Sequence, residues 1–148
     1  MAEIDRARIG EWGPEVTMRI ELGKIREFVK AVKDPNPIYL DEARCVAPPT
    51  FLMTMAHWIG DLGATRAAVK LDYRRLLHGE QEFEYLRPIR PGDVLTFRSR
   101  TKDVFEKTGK RGGTMLFVIG ETEFRNQRGE VVAYLRNTVI ETAGPVTG

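Results

Sequence analysis

A chain of 148 residues is long enough for one domain with a sizeable core, and its 42% hydrophobic and 30% charged content is that of a folded globular protein rather than a disordered one. Lys and Arg number 23 against 21 Asp and Glu, and the resulting net charge of +2 gives no case for a nucleic-acid footprint, which needs a clustered basic face. Cys45 is the only cysteine, so an intrachain disulfide is excluded and a reducing cytoplasm is the expected setting. The opening stretch MAEIDRARIGEWGPE carries no apolar signal core, and no run approaches the ~18 apolar residues of a membrane-spanning helix.

In chain order, EVTMRIE at 15–21 predicts a short strand, because Val16, Met18 and Ile20 alternate with polar neighbours. Ile25, Phe28, Val29 and Val32 then recur at i, i+3, i+4 and i+7, the stripe of an amphipathic helix running to about Lys33. Pro35 and Pro37 end it in an extended, turn-like segment. A second helix is predicted after Pro48-Pro49-Thr50. There Phe51, Leu52, Met55, Ile59 and Leu62 cover more than one face, as in a buried helix.

From about Glu80 the pattern turns to strands. EQEFEYLRPI puts Phe83 and Tyr85 on one face, and DVLTFRSRTKDVFE turns Leu95 and Phe97 inward. The apolar run at 115–119 suits a strand buried on both faces, and EVVAYLRNTVIE closes the set. RPGD at 90–93, KTGKRGG at 107–113 and NQRG at 126–129 are reversals, so the last three strands form an antiparallel meander. The expected class is α+β, one domain over 1–148 with its core at about 15–142 and a frayed tail at 143–148. A helix covers one sheet face, and a second subunit is a common cover for the other.

The helix ending in Asp34-Pro-Asn36-Pro37-Ile38, the segment APPTF, and LHGEQEFEYLRPIRPGD followed by long strands together resemble the hot-dog-fold MaoC-like dehydratases. The likeness is greatest to their N-terminal type of hot-dog domain and covers roughly 15–142. The resemblance implies an antiparallel sheet wrapped round a central helix, working as paired hot dogs. It implies a lyase of acyl-chain metabolism that hydrates trans-2-enoyl thioesters or dehydrates (R)-3-hydroxyacyl thioesters. Coenzyme A or acyl carrier protein carries the substrate, and no metal or redox cofactor is needed. Fatty-acid, steroid side-chain and branched-acid chains are all compatible. Active members carry Asp-x-Asn-Pro-Ile/Leu-His. Asp34, Asn36, Pro37 and Ile38 match that pattern, but Tyr39 stands where the His belongs. Around this degenerate catalytic pair, the resemblance places Asn36, Pro49, Thr50, Phe51, His78 and Gly79 beside the substrate.

The departure matters because hydration requires a base for water, a proton for the α-carbon and donors for the thioester oxygen. A phenol titrates near pKa ~10 and is a hydrogen-bond donor at neutral pH, so Tyr39 is a poor replacement for a histidine base. N–H groups at the helix start after Pro49 are candidate oxyanion donors. The chain therefore reads as an accessory, acyl-binding hot dog whose partner supplies the intact Asp/His pair.

Two other readings stand beside it: a self-sufficient homo-oligomer using Asp34 with His78, and an acyl-thioester-binding protein without chemistry. A thioesterase is less favoured, since the predicted buried helix offers only Asp61 as a carboxylate. Each residue also has a plainer explanation. Asp34-Pro-Asn-Pro serves as a helix stop and turn, Tyr39 as a packed aromatic, His78 as a turn residue and His57 as a core or interface residue. Cys45 has no nucleophile pattern. TGKRGG lacks phosphate-loop spacing, and the two histidines lack zinc-site spacing.

Overall fold

The computed structural model describes residues 2–60, 68–109 and 113–144. Five strands form the main sheet: β2 (Val16–Arg19), β4 (Leu76–Tyr85), β5 (Val94–Thr108), β6 (Thr114–Arg125) and β7 (Val131–Glu141). Their order is β2-β5-β6-β7-β4, with every pair antiparallel. The α+β class and the meander β5-β6-β7 are as expected. The strand at 76–85 lies beyond the meander, on the far side of β7. A separate ribbon pairs β1 (Glu3–Ile4) with β3 (Val69–Lys70), and sequence patterning did not foresee it.

The reversals follow local chemistry. In RPGD, Gly92 takes φ +92° and the Asp93 carboxylate accepts the Arg90 N–H at 2.8 Å. In NQRG, Gly129 takes φ +77°, and Asn126 Oδ1 accepts the N–H groups of Arg128 and Glu130, both at 3.0 Å. Gly109 N–H donates to the Gly113 carbonyl at 3.1 Å, as a hairpin closing at 107–113 requires, although 110–112 lie outside the described residues.

Cross-strand register assigns the inner face. Phe97 faces Phe124, Phe124 faces Ala133, and Phe83 faces Leu135. These side chains meet Met18, Ile20, Ile25, Val29, Phe51 and Leu52 in the main core. Burying each large apolar side chain contributes roughly 1.5–3 kcal/mol, and the Phe97 and Phe124 rings add a contact at 5.4 Å between centroids. Helix α1 (Leu22–Ala31) supplies Ile25 and Val29. Val32, the last member of its predicted stripe, lies just past the helix and is exposed. A smaller core joins Val69 and Ala68 to Val104, Leu116 and Val118 at the other end of the same face.

Two expectations need correction. The segment after Thr50 is a 3-10 helix, Phe51–Trp58, rather than a long α-helix. Only Phe51 and Leu52 are buried in it, Met55 and Ile59 are half-buried, and His57 is exposed rather than in the core; Asp61 and Leu62 lie outside the described residues. The run 115–119 is not buried on both faces. Leu116 and Val118 point inward and are buried, whereas Met115, Phe117 and Ile119 are half-buried on the outer face.

That outer face carries a charge ladder. Arg100, Glu121, Arg136 and Glu82 lie directly opposite one another across β5-β6-β7-β4, and Arg98, Glu123, Tyr134 and Glu84 form the next row. The Glu121 side chain is 4% exposed and accepts hydrogen bonds from Arg100 at 2.6 Å, Lys102 at 3.0 Å and Arg136 at 2.7 Å. A register shift between Thr101 and Asp103 brings Lys102 within reach. Trp12, on an N-terminal arm tied to β5 through Gly10 and Gly13, covers Arg98 and Arg100 at 4.6 and 4.2 Å. Burial opposes ionisation of Glu121, but the hydrogen bonds from Arg136, Lys102 and Arg100 outweigh it and hold the carboxyl down from 4.5 to about 2.

A depressed carboxyl contributes stability that is complete above its unfolded value and lost as pH falls through its folded one. Glu121→Gln, which leaves three cations around a neutral group, is expected to cost about 2–3 kcal/mol near neutral pH. Thermal melts of both proteins will show that gap shrinking as pH falls from about 4.5 toward about 2.

Candidate functional site

The loop carrying Asp34 is built by a helix ending. Lys33 adopts φ +59°, the left-handed conformation that closes a helix. The Asp34 N–H then reaches back to the Val29 carbonyl at 2.9 Å and the Lys33 N–H to Lys30 at 3.2 Å. Pro35 prevents continuation. The Asp34 carboxylate accepts the Asn36 N–H at 3.0 Å, and the Asn36 side chain accepts the Ile38 N–H at 3.1 Å, capping a short 3-10 helix, Pro37–Leu40. Asp34 and Asn36 are therefore bound into the turn that they create.

Tyr39 follows on that short helix and enters the main core, 6% exposed. Burial pushes its phenol above 10, and the charge of Asp34, a hydrogen bond to the Asp34 carboxylate and the neighbouring Cys45 act in the same direction. At neutral pH the phenol is protonated and lies beside the Asp34 carboxylate. Cys45, also buried in the core, is pushed upward by its burial and is an inert thiol.

The APPTF segment is tied to β4 by the Tyr85 hydroxyl, which donates to the Pro49 carbonyl at 2.6 Å. Burial raises that phenol to about 12. The N–H groups of Phe51 and Met53 donate to Pro48 and Thr50, at 3.0 and 3.1 Å, so these two are not free oxyanion donors. Thr50 and Pro49 are exposed, and Phe51 packs edge-on against Phe28 at 5.6 Å. His78 and Gly79 lie where the β4-β7 register shifts, and a Cβ on Gly79 would crowd Ile140 Cδ1 at 2.9 Å. His78 is exposed, with Nε2 3.3 Å from Gln81 Oε1.

A cavity of about 250 Å³ opens between the 53–59 segment and the inner sheet face, lined by residues of both cores, among them Leu135 and Val118. Met55, Ile59, Leu71, Val118, Leu135 and Val139 make its apolar walls. Of the residues that the sequence placed beside substrate, His78 alone lines it, while Phe51 borders a separate groove against α1. Asp34 and Tyr39 line neither. Sequence reasoning passed over Gln81, Gly120 and Asn137, which do line the cavity. A signal existed for one of them, since Asn137 interrupts the apolar positions Leu135 and Val139 on one strand face. Among the described residues, no cluster of His, Cys, Asp and Glu is arranged to hold a metal ion, and no helix is long and apolar enough to cross a membrane.

A family model described as "FAS1-like, dehydratase domain region" matches residues 7–135. The chain is 37% identical over 116 residues to a UPF0336 protein of Streptomyces avermitilis, covering 72% of this chain and 77% of that one. A solved MaoC-like dehydratase superposes with a TM-score of 0.73 at 26% identity, over 91% of this chain and 42% of that chain. The truncated HadBC (3R-hydroxyacyl-ACP dehydratase) complex of Mycobacterium tuberculosis matches with a TM-score of 0.67 at 23% identity, over 86% and 95% of the two chains, a likeness of fold.

A merely local role for Tyr39 has a measurable cost. Tyr39→Phe removes a buried hydroxyl beside the Asp34 carboxylate and is expected to destabilise the fold by about 1 kcal/mol in a denaturant titration. The phenolate absorbance that disappears in this variant will titrate above 10 in the parent protein.

Proposed function

The chain belongs to the family of FAS1-like dehydratase regions, a group of MaoC-like hot-dog proteins, and from that premise we propose that it is the accessory, acyl-binding subunit of an (R)-specific enoyl-thioester hydratase or 3-hydroxyacyl-thioester dehydratase. One observation carries the reading. The position of the catalytic histidine holds Tyr39, whose phenol is buried and protonated at neutral pH. A protonated phenol cannot accept a proton from water as an imidazole base would. The cavity supports an acyl-binding role, because Met55, Ile59, Leu71, Val118, Leu135 and Val139 wall it with apolar surface, and the Glu121 carboxylate turns to the outer face, where three cations hold it. The base then comes from a second hot-dog subunit with an intact Asp/His pair. HadBC, which shares the fold, is itself a complex. The acyl chain arrives as a thioester of coenzyme A or acyl carrier protein, and the chemistry asks for no metal or redox cofactor.

A second reading is favoured by the place of His78 on the cavity lining. There the protein is a self-sufficient homo-oligomer that uses Asp34 with His78.

Hydration of a trans-2-enoyl coenzyme A, followed as loss of the conjugated enoyl absorbance, separates the two. The purified chain alone is expected to give no turnover, and co-expression with a hot-dog protein carrying the Asp/His pair is expected to restore it. Within that complex Asp34→Ala should change the rate by less than about threefold, well short of the 10²–10⁴-fold that a general base contributes. Turnover by the lone chain that His78→Ala abolishes would establish the second reading instead. Loss of turnover in the complex on Asp34→Ala would overturn the silent site.

A further inference from the structure

The inner sheet face bears a row of polar groups where an acyl pocket would be expected to be apolar throughout. Most of them are already satisfied. Ser99 and Thr122 share a hydroxyl hydrogen bond of 2.7 Å. The Gln81 carboxamide donates to the Arg136 carbonyl at 3.1 Å, and its oxygen meets His78 at 3.3 Å. Asn137 differs. It is half-buried, it lines the cavity, and no described residue hydrogen-bonds its carboxamide.

The placement of this carboxamide is built into the sheet. Asn137 lies directly opposite Gly120 on β6, and a Cβ on Gly120 would collide with Asn137 Oδ1. A side chain larger than hydrogen at 120 would thus displace the amide. Covering an amide in a mostly apolar cavity without giving it a partner costs binding free energy. A ligand that brings a hydrogen-bonding oxygen removes that cost, and one that covers the amide with methylenes incurs it.

We propose that Asn137 is a specificity-determining residue and that the cavity selects acyl chains bearing an oxygen function, a hydroxyl or keto group, beyond the β-carbon. The inference rests on the acyl-binding reading above and names the class of acyl group. The apolar walls from Met55, Ile59, Leu71 and Val139 take the methylenes, and the Asn137 carboxamide takes the oxygen. Its amide can donate to a keto oxygen or exchange hydrogen bonds with a hydroxyl. The cavity volume, about 250 Å³, falls below the ~300 Å³ at which drug-sized pockets begin, which suits a chain segment rather than a fused ring system.

Calorimetric titration of the full chain with decanoyl-coenzyme A, and with hydroxydecanoyl-coenzyme A in which the hydroxyl is moved along the chain, tests this. The parent protein is expected to bind at least one distal hydroxy isomer about tenfold more tightly than decanoyl-coenzyme A. Asn137→Ala is expected to abolish that preference while retaining decanoyl binding. Gly120→Ala, which displaces the carboxamide without removing it, is expected to reduce the preference, and thermal melts verify that both variants fold. Equal affinity for all probes in the parent protein overturns the inference and leaves acyl binding intact. A preference confined to the β-hydroxyl, or equal losses for every probe in Asn137→Ala, overturns it too, because Asn137 then serves the reacting end. No binding of any probe by the folded parent overturns the acyl-binding reading itself.

Discussion

Strand β6 is hydrogen-bonded on both sides, and its pleat sends Leu116, Val118, Gly120, Thr122 and Phe124 to one face and Glu121 and Glu123 to the other. This alternation is the constraint to which both faces answer. A shift of one residue would drive two carboxylates into the core and expose Phe124, which is fully buried. The inner face gains its apolar cores from this register. The outer face gains a carboxylate, Glu121, at the centre of three cations, and such a group is tolerated at 4% exposure only because its partners surround it. Gly120 and Glu121 are adjacent in the chain, yet one makes room for an amide in the cavity and the other anchors the outer ladder.

The Asp34 loop shows how a motif associated with chemistry persists on folding grounds. Asp34 receives the Asn36 N–H, Asn36 caps the next helical turn, and Pro35 and Pro37 block any extension of α1. None of these interactions requires a histidine at 39. A phenol there lies beside the carboxylate, while its ring joins Ile25, Val29 and Phe51 in the core.

The cavity arises from a different level of organisation. It lies between a core organised by α1 and the 51–58 segment and a second core organised by the β1-β3 ribbon. Its lining comes from strands β4, β5, β6 and β7 and from the segments that cross them. Gln81, Ser99, Gly120 and Asn137 are far apart in the chain and become neighbours only through cross-strand pairing.

What the sequence alone determined was local. Periodicity of 3.6 marked α1, alternation marked the strands, and glycines able to take positive φ marked RPGD and NQRG. The departure at Tyr39 from the motif that the sequence resembles was legible for the same reason, since it lies inside one short stretch. Periodicity did less well at 51–58, where apolar residues on more than one face suggested a long α-helix and the chain instead makes 3-10 turns with two buried residues. The tertiary structure decided that β4 pairs with β7, that Lys102 reaches Glu121, that Asp34 stays off the cavity lining, and that Asn137 lies over Gly120. Those outcomes depend on register shifts at Thr101/Asp103 and His78/Glu80 and on which strand closes which edge. They are settled by packing between distant segments, and no short window of residues carries that information.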